Sequence, residues 1–75
     1  MKADGMIFES ELLFAEHLKE LYGTALLSKA QAAKELSISR ATIDRMRLSG
    51  EITSKKVGSQ VRFSVIEIAR IVMGE

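Results

Sequence analysis

Cysteine, proline and tryptophan are all missing from this 75-residue chain, and His17 is its one histidine. With no cysteine there is neither a disulfide framework nor a thiolate that could hold a metal or act as a nucleophile. With no H-x-x-x-H or C-x-x-C spacing and no glycine-rich phosphate loop after a strand, no metal and no cofactor are expected. The carboxylates scatter round the first helical segment instead of converging, so no catalytic residue, no enzyme activity and no small-molecule ligand are expected, and His17 is read as a surface or half-buried side chain. No apolar run approaches the ~20 residues of a membrane span. The opening `MKADGMIFESELLF` lacks the basic and then continuously apolar order of a secretory signal, which makes an intracellular protein the expectation. Without proline, repeats or low-complexity tracts, nothing suggests a second domain.

What is present is globular in character, 47% hydrophobic and 28% charged. The net charge of +1 hides an asymmetry. Residues 28–64 carry eight basic side chains against three acidic, a net +5, whereas residues 1–27 carry two against five and residues 65–75 one against two. A basic segment between acidic ends is the electrostatic footprint of a polyanion binder, and it is equally compatible with a solvated helix face.

The order of elements follows from periodicity and caps. Ser10 and Gly23 bracket an amphipathic helix, `SELLFAEHLKELYG`, with Leu13 or Phe14, Leu18, Leu21 and Tyr22 on one side and Glu11, Glu16, Lys19 and Glu20 elsewhere round the wheel. Ser28 with Gln31 forms a capping-box pattern at the head of a second helix ending at Leu36. Ser39 caps a third, `RATIDRMRLSG`, that stops at Gly50. Beyond it, `ITSKKVGSQVRFS` alternates like two short strands about Gly58-Ser59, a hairpin. Ser64 with Glu67 repeats the capping-box pattern ahead of a last helix striped by Ile68, Ile71 and Val72.

Two short helices joined by about three residues, `AAKELSISRATIDRM`, resemble a helix-turn-helix. Ala33 is the small residue a close crossing needs, and Leu36, Ile38, Ile43 and Met46 stand at the motif's core spacing. Arg40, Ala41, Asp44 and Arg45 are left facing outward. The whole run `LLSKAQAAKELSISRATIDRMRLSGEITSKKVGSQVRFSVIEIARIV`, about residues 26–72, is similar to the MerR-like winged helix-turn-helix of the excisionase family. `SRAT` at 39–42, Gly50 and `KKVGSQVRF` at 55–63, in that order, carry the resemblance. The chain departs from the family in having Ser37 where a turn glycine is common, which suggests a wider turn, and Thr53-Ser54 and Val61 where proline and an aromatic are usual.

The resemblance implies a mainly α fold with a small β-hairpin wing, a winged helix-turn-helix with an extra N-terminal helix. Residues 1–9 are expected to be flexible, 10–75 to form one domain, 10–22 the added helix and 26–72 the family-like core. It also implies double-stranded DNA as partner, with recognition helix 39–49 in the major groove and wing 55–62 on the backbone or in the minor groove. The expected contacts are Ser39, Arg40, Ala41, Thr42, Asp44, Arg45, Arg47, Lys55, Lys56 and Arg62. Arg40 is suited to guanine O6 and N7, and Asp44 to orienting an arginine. Against these stand ordinary surface roles, notably an ion pair of Arg47 or Arg40 with Asp44. An excisionase-type recombination directionality factor of a phage or mobile element, cytoplasmic and nucleoid-associated in a bacterium, is the expected function, with an integrase or a second copy of itself as further partner. A small transcriptional repressor of the same fold and a protein-interaction module that does not bind DNA remain alternatives. Helix 10–22 lies outside the resemblance and is expected to pack on the domain as added core, the alternative being a dimer contact.

Overall fold

Each apolar stripe in the sequence is short, so each element can bring only one or two large side chains to a shared centre. The computed structural model describes residues 9–74, arranged as α1 (Glu9–Tyr22), β1 (Leu26–Ser28), α2 (Lys29–Leu36), α3 (Arg40–Ser49), β2 (Lys55–Val57), β3 (Gln60–Ser64) and α4 (Val65–Met73). Among the described residues six large side chains are fully buried: Leu18 of α1, Leu27 of β1, Ile43 of α3, Ile52 of the loop before β2, Phe63 of β3 and Ile68 of α4. Ala32 supplies the contribution of α2. Leu36, Ile38, Met46 and Ile71 pack round that centre partly buried, whereas Val72 is exposed.

Helix α1 begins at Glu9, so Ser10 lies within its first turn and is not the N-cap expected from the sequence. The flexibility expected of residues 1–9 concerns, for residues 1–8, positions outside the described residues. At the other end Gly23 takes a left-handed φ of 72° and its N–H donates to the Lys19 carbonyl at 2.8 Å, the expected stop. The buried stripe is Glu11, Ala15 and Leu18, spaced i, i+4, i+7, and it packs chiefly on α4. Leu13 and Leu21, two candidates for that stripe, are instead 63% and 60% exposed, while Phe14 and Tyr22 pack on the core. Glu11 is buried rather than on the polar face; it sits in the first turn, where the helix dipole favours a carboxylate, and feels the charge of Arg70. Tyr22 donates its hydroxyl to the Glu35 carboxylate, tying the end of α1 to α2.

The expected hairpin is part of a three-stranded antiparallel sheet of order β1-β3-β2. Strand β1 was not expected, because three residues are too few to display alternation. Its register places Leu27 opposite Phe63, both fully buried. Gly58 has a positive φ of 64° at the first position of the two-residue turn between β2 and β3, the type II′ pattern.

Three serines start three helices. Ser28 completes the capping box with Gln31, by hydrogen bonds of 3.1 and 3.0 Å. Ser39 accepts from the Thr42 N–H, and Ser64 from the Glu67 N–H. Between α2 and α3, Ser37 adopts the left-handed conformation itself, φ 58° and ψ 41°. Its N–H donates to Lys34 O, and that of Ile38 to Ala33 O at 3.0 Å, the pair of bonds that ends a helix in a Schellman turn. The turn is therefore the tight one and not the wider one that a residue with a Cβ suggested.

Two stability predictions follow from these positions. Leu18→Ala lowers the unfolding free energy by about 2 to 5 kcal/mol, whereas Leu21→Ala stays within about 0.5 kcal/mol, as read from urea unfolding followed by circular dichroism. Ser37→Gly removes the cost of a Cβ in the left-handed region and raises stability by up to about 1 kcal/mol; a lower urea midpoint would contradict it.

Candidate nucleic-acid interface

Helix α3 buries Ile43 and half-buries Met46, so the turn-by-turn rotation of about 100° per residue carries Ala41, Arg45 and Leu48 to the opposite side. Arg40, Ala41 and Arg45 are exposed, as the motif's geometry requires of an outward face. Among the described residues neither arginine has an ion-pair partner. Asp44, four residues after Arg40, is occupied elsewhere. Its Oδ1 lies 2.8 Å from Lys29 Nζ and 3.3 Å from Arg47 Nη2, and Lys29 Nζ donates to Oδ2 at 3.0 Å. The Lys29 hydrogen bond first, and the Arg47 hydrogen bond after an opposing desolvation, hold the Asp44 carboxyl below its ordinary value of 3.8.

This cluster joins the first residue of α2 to the middle of α3. Lys29 and Asp44 are fifteen residues apart, so no local spacing reveals the pair. Arg47 turns along its own helix to Asp44 at i, i+3, the surface pairing that the sequence also allowed. The three groups sum to one positive charge, so the acid on this face is neutralised without cancelling the face.

Ser39 and Thr42 are engaged with each other, their hydroxyl oxygens 2.9 Å apart at the head of α3. In the wing, Lys55 stands directly opposite Arg62, and Lys56 opposite Val61. Side chains alternate along strands, so Lys55 and Arg62 share one face and Lys56 projects from the other. Arg62 donates to the Gln60 side chain beside it. Two like charges directly across a ladder destabilise it unless an anion lies between them.

The root of the wing is fixed by Glu67. Its carboxylate does not return to Ser64, as a full capping box would have it. Oε2 accepts the Thr53 N–H at 2.9 Å and a hydrogen bond from Arg70 at 2.7 Å, while Oε1 accepts Arg70 Nε at 3.0 Å. A proline at position 53 could not donate this bond, so the threonine is part of how the wing is anchored here.

A family described as a helix-turn-helix domain matches residues 26–73, from β1 through α4. The chain belongs to that family. Its fold is the winged helix-turn-helix: α2 and α3 are the two helices of the motif, β2 and β3 form the wing, and β1 and α4 close the core beneath them. It is a DNA-binding family and not an enzymatic one, and α1 lies outside the matched span. No curated protein matches the chain.

Acid tests the wing anchor of this helix-turn-helix. Burial pulls the Glu67 carboxyl up, but the hydrogen bonds from Arg70 and Thr53 outweigh it and leave the group below its ordinary value of 4.5. A carboxyl lowered by folding stabilises the fold above its unfolded value, and that contribution disappears as pH falls through the folded one. The stability difference between the parent and Glu67→Gln is therefore largest near neutrality and shrinks below pH 4.5. Urea midpoints at pH 7 and pH 3 measure it, and an equal difference at both would contradict the anchor.

Proposed function

We propose that this protein is a sequence-specific DNA-binding factor of the excisionase type, one that directs site-specific recombination at the attachment sites of a phage or mobile element. The observation that carries the reading is the outward face of α3, where Arg40 and Arg45 stand exposed while Lys29 and Arg47 neutralise the intervening Asp44. In this reading α3 lies in the major groove with Arg40 on guanine, Arg45 on bases or phosphate and Ala41 against the groove floor. Ser39 and Thr42 approach phosphate at the helix head, and Asp44 holds Arg47 and Lys29 in place. The wing sets Lys55 and Arg62 on the backbone or minor groove, where a phosphate relieves their mutual repulsion, with Lys56 on a neighbouring phosphate. The site is cytoplasmic and nucleoid-associated in a bacterium, and no cofactor takes part.

Among the described residues no helix is long and apolar enough to cross a membrane. Leu12, Leu13 and Leu21 on α1 are exposed and favour a protein contact in addition to DNA, an integrase or a second copy of the chain. A repressor of the same fold would use the same DNA face; an integrase gene beside this one supports excision, and a divergent operator supports repression.

Binding to duplex DNA tests the proposal directly. Log K is expected to fall with log salt by about 0.9 per phosphate neutralised between roughly 50 and 200 mM. Arg40→Ala is expected to cost about 1 to 3 kcal/mol on a preferred site and to relax discrimination there, whereas Lys56→Ala weakens all duplexes alike. Weak binding at low salt with no slope would favour a protein-interaction module instead.

A further inference from the structure

The outward face of α3 carries, besides its arginines, a leucine that neither the core nor the charges explain. Leu48 is 79% exposed, more than Leu13 or any other exposed large apolar side chain among the described residues. It contributes almost nothing to the hydrophobic centre. As a helix former it is matched by lysine or arginine, either of which would also attract phosphate. Its position is specific: Leu48 lies i+7 from Ala41 and i+3 from Arg45, so the three form one stripe opposite the buried Ile43. The stripe is thus a cationic arginine flanked along the helix by two uncharged apolar side chains, Ala41 and Leu48, and its other neighbours, Asp44 and Ser49, are polar. That is no apolar patch for a protein partner, which needs contiguous area.

We infer that Leu48 and Ala41 are specificity residues that pack against thymine methyl groups in the major groove, on either side of the base pair faced by Arg45. The inference rests on the DNA-binding reading of α3 and deepens it. The C5 methyl of thymine is the one apolar group on the major-groove edge, and small or branched apolar side chains are its natural contacts. Seven residues of helix advance about 10 Å. Successive base pairs are about 3.4 Å apart, so the two methyls lie no more than about three steps from each other. Leu48 is thereby a positive determinant: a methyl meets its side chain, and cytosine offers a polar amino group that it leaves without a partner.

Selection of binders from a random-sequence duplex pool, followed by replacement of each thymine in the selected site by deoxyuridine, removes methyls one at a time without touching a hydrogen bond. The parent chain is expected to lose about fourfold in affinity at each of two thymines no more than about three base pairs apart, the value of one buried methyl-sized group. Leu48→Ala, which is exposed and keeps the parent's melting temperature, is expected to lose one of these two sensitivities and retain the other. Indifference of the parent to every deoxyuridine, or survival of both sensitivities in Leu48→Ala, overturns the inference while steep salt dependence leaves DNA binding intact. Binding of all duplexes alike, with no site enriched, overturns it in the same way. Failure to retain any duplex from the pool brings down the DNA-binding reading and the inference together.

Discussion

Strand β3 is where the fold converges. It lies between β1 and β2 in the sheet, and both α2 and α4 pack against it. Phe63, the largest fully buried side chain, fixes which face of β3 points inward, because a one-residue slip would exchange it for Arg62 and drive a charge into the centre. The register that buries Phe63 against Leu27 also puts Arg62 opposite Lys55 on the far face. The hydrophobic constraint that closes the core and the basic face of the wing are thus two consequences of one alternation.

A similar coupling holds between the two helices of the motif. Ser37 in the left-handed conformation sets the direction of α3 from its start, and the Lys29–Asp44 pair holds the middle of α3 to the first residue of α2. Half-exposed ion pairs contribute little to stability. Their effect here is on orientation and charge: a backbone turn and one side-chain cluster fix the helix at two points, and the same cluster removes the acid that would repel phosphate between Arg40 and Arg45.

Much of this was legible in the sequence because it is local. The serine caps at 28, 39 and 64, the glycine stop at 23, the Gly58-Ser59 turn and the inward Ile43 each depend on residues within one turn or one hairpin. What escaped depends on chain partners far apart. Strand β1 exists only because β3 offers it a ladder; Lys29 finds Asp44 across the motif; Glu67 leaves its own cap for Thr53, fourteen residues away. The helical wheel of α1 misplaced Leu21 and Glu11 for a related reason, since a stripe wide enough to hold several candidates does not say which of them its partner helix will cover. The outward residues of α3 were legible as a set, but not which of them are tied down.

Helix α1 brings these lines together. It lies outside the span that matches the family, yet it supplies Leu18 to a centre in which most elements contribute one large side chain. In a domain this small, losing one such contribution removes a large share of the margin between folded and unfolded states. The helix packs mainly on α4, whose Glu67 holds the root of the wing and whose Ile68 lies in the common core. An element with no residue at the proposed DNA face therefore bears on it through α4, by stabilising the helix from which the wing is anchored.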